Sequence, residues 1–147
     1  MPDGCTASQA WGDHGPGKVL LIEDEPALLG LMAHAFSAAG YTTLIAENGR
    51  KGLRLLDAYK PDLVVTDIVM PEMEGIGAIL QMRRRPRPPK IIAISGAGPG
   101  GRGDYLSWAK HLGADEVLAK PFRMAQIVAL SNRVIHSNCN DLTGQGN

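Results

Sequence analysis

The sequence is poor in the residues that hold small or metal-built proteins together. Its only cysteines, Cys5 and Cys139, lie in polar segments near opposite ends. That excludes a disulfide scaffold and a thiolate metal cluster; two free thiols in a reducing compartment suit the pattern better. The four histidines, His14, His34, His111 and His136, have no partner at ligand spacing, so an imidazole metal centre is also excluded. No apolar run is long enough to cross a bilayer. The first residues, Met1–Gly17, lack the charged and apolar regions of a secretory signal,. There is no excess of either charge: Lys plus Arg number 15, and so do Asp plus Glu. A neutral balance gives no electrostatic case for nucleic acid or a membrane surface. No internal repeat is present.

What is there is a foldable core. The 147 residues suit one domain, and 44% hydrophobic content excludes disorder throughout,. The ends, residues 1–17 and 137–147, are rich in small polar residues and read as tails around a domain at 18–136,. Within it, strand and helix patterns alternate. Lys18–Ile22, Asp62–Thr66 running on to Asp67, and Lys90–Ile94 are short apolar runs typical of strands buried on both faces,. Tyr41–Ala46 and Glu116–Ala119 complete five strands.

Helices are expected between and after the strands. The first opens with Pro26 in its first turn and closes at Gly40, with Leu28, Leu31, Met32, Ala35, Phe36 and Ala39 as its apolar stripe,. The second is capped by Asn48 and runs to about Tyr59,. The others fall near Ile76–Arg84, Asp104–Leu112 and Arg123–His136. This alternation predicts an α/β fold: a doubly wound, five-stranded parallel sheet in the flavodoxin-like order 2-1-3-4-5, with five helices. The basic run Arg83–Arg87 falls where a helix ends, where cations complement the dipole, and reads as a solvated terminus,.

Function is expected at the carboxyl ends of such strands. The first strand delivers Glu23, Asp24 and Glu25 there, the third Asp67, the fourth Ser95 and the fifth Lys120. Crowded carboxylates repel and call for a cation, and oxygen ligands favour a hard one such as Mg²⁺. With an ammonium and a hydroxyl beside them, the set fits phosphoryl transfer onto an aspartate. Taken singly, each residue has a plain structural reading. Asp67 could cap the next helix, Ser95 a turn, and Glu25 could favour a helix dipole. The weight lies in their convergence.

In these residues the chain resembles the receiver domain of two-component response regulators, of the stand-alone, chemotaxis-regulator-like type, over about Lys18 to His136. Glu23-Asp24 matches the acidic pair, Asp67 the phospho-acceptor with Ile68-Val69-Met70-Pro71 after it, Ser95 the switch hydroxyl, and Lys120-Pro121 the Lys-Pro pair with its cis peptide. The resemblance implies that Asp24 and Asp67 bind Mg²⁺ directly, with Val69 through its backbone carbonyl and Glu23 through water. It implies a phosphoryl donor that is a histidine kinase or a histidine phosphotransfer protein, and a cytoplasmic location. With no output domain in the sequence, the expected output is altered protein binding through Asp104–Leu112, the fifth strand and the last helix, with no nucleic acid or membrane contact.

The sequence also departs from that pattern. The position three before the lysine, usually aromatic, is Val117, so the usual aromatic toggle is absent. The glycine-rich stretch after Ser95 suggests that ordering of Ala97–Leu112 replaces it. Val69 and Ala97 have no side-chain group to position an attacking water, so slow hydrolysis of a phospho-aspartate is expected. The alternatives are a receiver-like module that is never phosphorylated, an Mg²⁺-dependent phosphatase using Asp67, and a flavodoxin-like cofactor binder. Val69, standing where a phosphatase would carry a second aspartate, argues against turnover. Glu23–Glu25 would repel a cofactor phosphate.

Overall fold

A computed structural model describes residues 16–68, 74–96, 110–111 and 113–144, with the side chains of 74–76 and 137–144 left aside. Five strands are present: β1 (Lys18–Ile22), β2 (Thr42–Ala46), β3 (Leu63–Asp67), β4 (Lys90–Ser95) and β5 (Glu116–Ala119). They form one parallel sheet in the order β2-β1-β3-β4-β5, as the sequence predicts. Four helices are seen among the described residues: α1 (Pro26–Ala38), α2 (Gly49–Tyr59), α3 (Glu74–Arg83) and α4 (Met124–Gly144). The helix expected at Asp104–Leu112 lies outside the described residues, apart from Lys110 and His111, which are helical.

The central strands are apolar on both sides because both faces are covered. Strand alternation sends Leu20, Ile22, Val64, Ile91 and Ala93 to one face, against Leu56 of α2 and Ile79 and Met82 of α3,. Val19, Leu21, Leu63, Val65, Ile92 and Ile94 face the other way, onto Met32 and Phe36 of α1 and Ile127 and Leu130 of α4. Tyr41 fastens this second layer. Its ring meets Phe36 edge to face at 5.2 Å, and its hydroxyl donates to Asn132 Oδ1 at 2.6 Å.

The local stops are those the sequence marks. Pro26 opens α1. Asn48 Oδ1 accepts from the Lys51 N–H at 2.8 Å and caps α2,. Lys60, at φ 50°, ends α2 in the left-handed region ahead of Pro61.

Two expectations are corrected. In α1 the buried residues are Leu29, Met32 and Phe36, while Leu31 is 58% exposed. The helix carries apolar residues around most of its circumference, so periodicity alone does not select the stripe that meets the sheet. At the other end, α4 continues to Gly144, past His136 where polar composition suggested an end. Ser, Asn and Asp are weak helix formers but not helix breakers.

Gly52 is where α2 meets β1. A Cβ there would come within 2.9 Å of Ile22 Cγ1, and nearer still to Ile22 Cδ1. Alanine normally favours a helix over glycine by about 1 kcal/mol, but overpacking a core costs about 1–3 kcal/mol. Ile22 is fully buried and has little room to turn. Gly52→Ala is therefore expected to lose about 1 kcal/mol in urea denaturation. Ile22→Val removes the methyl in the way, so the double variant should be more stable than the sum of the single losses implies. Simple additivity would contradict this account.

Candidate functional site

The site is built by the sheet's register. β1 and β3 are neighbours, with Ile22 beside Thr66, so the next residue on each, Glu23 and Asp67, reaches the same carboxyl edge. Glu23 follows β1 and is anchored by its N–H, which donates to the Ala46 carbonyl at 3.1 Å. Asp67 ends β3 and pairs in register with Ile94. Its own carbonyl accepts from the buried Thr66 hydroxyl at 3.1 Å. β5 hands over Lys120, whose N–H donates to the Ser95 carbonyl at 2.8 Å. The Lys120-Pro121 peptide is cis, as expected.

Three carboxylates converge. Glu23, Asp24 and Asp67 offer oxygens that all lie within 4.8 Å of one another. Glu23 and Asp67 are buried, and Asp24 is exposed. Lys120 answers the two buried ones: Nζ donates to Asp67 Oδ2 at 2.8 Å and stands 3.3 Å from Glu23 Oε1. That second contact is ionic, and Glu23 Oε1 is buried with no hydrogen-bond donor among the described residues. The other oxygen, Oε2, accepts from the Glu25 N–H at 3.1 Å.

The electrostatics follow from this crowding. Burial pushes the Glu23 carboxyl up, and the negative charge of Asp67 pushes it further. The Glu25 N–H and Lys120 oppose them, leaving a pKa of about 7 against an ordinary 4.5,. For Lys120 burial pulls downward. The hydrogen bond and charge of Asp67, with that of Glu23, outweigh it and hold the ammonium above its ordinary range.

Ser95 is buried at the end of β4, with its hydroxyl donating to the Gly96 carbonyl at 3.1 Å. Val117 pairs with Ala93 and packs, half-buried, against the core on the α2–α3 face. Of the residues singled out in the sequence, Glu23, Asp24, Asp67 and Lys120 are thus brought together. Val69 and the stretch Ala97–Ala109 lie outside the described residues. Two features carried no sequence signal. One is the direct approach of Lys120 to Glu23, and the other is the Ala46 carbonyl that fixes Glu23. Only the pairing of β1 with β2 reveals the second.

A hard cation fits this donor set. Carboxylate oxygens from two strand ends are already gathered, and a buried one lacks a donor among the described residues,. Chemically, the arrangement can hold a nucleophilic carboxylate beside an ammonium and a divalent ion.

Comparison with known proteins points the same way. Residues 19–132 match the response regulator receiver domain family. The chain is 39% identical over 80 residues to the transcriptional regulatory protein GlrR of Escherichia coli (strain K12), covering 54% of this chain and 18% of that protein. It is 34% identical to the Regulator of RpoS of the same organism over 72% of this chain and 31% of that protein. The chain therefore spans under a third of the length of these relatives. A putative response regulator from Chloroflexus aurantiacus shares the fold, with a TM-score of 0.75 at 21% identity over 82% of this chain and 98% of that one.

Proposed function

The chain belongs to the response regulator receiver domain family, and from that premise we propose that it is a phosphorylation-operated switch whose acceptor is Asp67. The observation that carries the reading is the buried Asp67 carboxylate, held at 2.8 Å by Lys120 beside two further carboxylates. Receiver domains are phospho-acceptor signalling domains that interact with histidine kinases.

In the proposed reaction an Asp67 carboxylate oxygen attacks the phosphorus of a phosphohistidine. A P–O bond forms, the P–N bond breaks, and the imidazole, already protonated on its other ring nitrogen, leaves as the neutral base. Asp67 becomes an acyl phosphate. Lys120 orients the acceptor and then faces an added negative charge. Ser95, by turning its hydroxyl from the Gly96 carbonyl, would donate to a phosphoryl oxygen. Asp24 and Asp67, the Val69 carbonyl, and Glu23 through water would hold Mg²⁺, which when bound neutralises charge on the phosphoryl oxygens.

We assign the protein to the cytoplasm. Its output is altered protein binding at the face formed by β5 and α4, the expected contribution of Asp104–Leu112 lying outside the described residues apart from Lys110 and His111. Val117 in place of an aromatic means that this coupling runs without a ring rotation.

Intact mass after treatment with a small phosphodonor and Mg²⁺ tests the assignment. Wild type is expected to gain one phosphoryl group and Asp67→Asn none. An unmodified wild type would support a phosphorylation-independent module instead. The adduct is also expected to persist, because neither Val69 nor Ala97 carries a hydrogen-bonding side chain. Loss of the label within seconds of donor removal would contradict that.

A further inference from the structure

The edge opposite the site carries a charge pattern that the proposed switch does not use. Lys18 and Lys90 begin β1 and β4, and both are tied to Asp62. The Lys18 N–H donates to Asp62 Oδ2 at 2.9 Å, and the Lys90 N–H to the Asp62 carbonyl at 3.0 Å. The start of the sheet is therefore one continuous rim. Exposed Lys60 lies just before Asp62, and the turn from α3 to β4 adds Arg83, Arg84, Arg85 and Arg87.

The acids at this rim are already engaged. Asp57 is clamped by Arg85 through two bonds, at 3.0 and 2.9 Å. Asp115 Oδ2 accepts the Ile91 N–H at 2.8 Å, and Glu116 pairs with Lys110 at 3.8 Å. Arg83, Arg84 and Arg87 are exposed and have no carboxylate in ion-pair reach among the described residues.

A helix C-terminus does favour cations. Here Arg83 sits in the last turn, and Arg85 already donates to the Gln81 carbonyl at 3.0 Å. Arg84 and Arg87 exceed that need. The turn also reads Pro86-Arg87-Pro88-Pro89, but Pro89 is buried, which removes it from a partner that reads extended proline helices.

We propose that this basic rim, centred on Arg84 and Arg87, is a docking surface for an acidic segment of a partner protein. Guanidinium forks match carboxylates in pairs, and Arg85 with Asp57 already displays that pairing in the same turn. Duplex DNA fits less well. Its phosphates are closely spaced, the rim interleaves Asp57 and Asp62 with its cations, and the chain as a whole carries no net positive charge,. The proposal is independent of the assignment of Asp67.

The test is fluorescence anisotropy with a short labelled peptide of alternating Glu and Ser, at low and physiological salt. Wild type is expected to bind, more weakly as salt rises. Arg84→Glu/Arg87→Glu should bind at least about tenfold more weakly. Arg50→Glu/Arg54→Glu makes the same change in net charge on exposed α2 positions and should stay within about twofold of wild type. Equal weakening in both variants would mean that the peptide senses only net charge, and would overturn the proposal. So would no binding by wild type, or tighter competition by duplex DNA than by unlabelled peptide. Arg84→Gln/Arg87→Gln, with a circular dichroism check of folding, gives the same reading should charge reversal disturb the turn.

Discussion

Lys120→Met is expected to destabilise the metal-free protein at pH 8 by about 2–3 kcal/mol. The loss should shrink at pH 5 and on addition of Mg²⁺. The Glu23 and Asp67 side chains are 1% and 4% exposed, and Lys120 is their shared counter-charge. Removing one partner of a buried ion pair costs about 3–5 kcal/mol, because the remaining charge is left uncompensated. Lys120 itself is 23% exposed, so solvent screens part of the interaction and the lower figure applies.

The Lys120 pKa is raised on folding. Its stabilisation is then fully present below the ordinary lysine value of 10.5 and is lost only as pH climbs through the folded value,. At pH 8 the wild type therefore has the full benefit. In the variant, two substitutes exist. A proton on Glu23 removes one charge at low pH, and a divalent cation neutralises the cluster at any pH. Thermal melts with chelator and with Mg²⁺, at both pH values, measure the effect. The chelator sample at pH 8 should melt about 5–10 °C below wild type. An equal loss under all four conditions would assign the role of Lys120 to packing of its aliphatic stem, not to charge.

Much of this site was legible because strands buried on both faces leave an unambiguous trace. Uninterrupted apolar runs in β1, β3 and β4 end at Glu23, Asp67 and Ser95, and the parallel order then gathers those ends. β5 falls on Glu116–Ala119 as read from the sequence. What stayed hidden depends on which way a side chain turns. Glu23-Asp24-Glu25 does not announce that the first is buried and the second exposed. The Ala46 carbonyl on the neighbouring strand settles it by holding the Glu23 N–H. Leu31 was misplaced for a related reason, since an apolar helix offers several stripes and only the sheet chooses one. The Arg83–Arg87 run read as one solvated terminus. Contacts from Asp57 and Gln81 divide it into an arginine that fastens α2 to α3 and others with no carboxylate in ion-pair reach among the described residues.

Raising the pH from about 5 to 8 is expected to lower the stability of the metal-free protein by up to about 3 kcal/mol through Glu23 alone. Its carboxyl titrates near 7 in the folded protein against 4.5 ordinarily, and each unit is worth about 1.4 kcal/mol. Between these values the folded state holds a proton that the unfolded state has released. Stability therefore falls as pH rises through the window and levels off above it. Asp57 behaves oppositely: the Arg85 hydrogen bond lowers its pKa below 3.8, so its contribution is lost only in more acid solution. Comparison with Glu23→Gln isolates the one slope. That variant should keep its melting temperature more nearly level and exceed wild type at pH 8 when chelator is present. Parallel melting curves for the two proteins would remove Glu23 as the cause. Mg²⁺ should reverse the trend for wild type, because a cation at this cluster competes with the proton. Stability gained from the ion then grows as pH rises toward 8, and apparent affinity falls up to about tenfold per unit below 7. The Glu23 carboxylate, whose charge costs the metal-free protein stability at neutral pH, is thus one whose charge a bound ion would compensate.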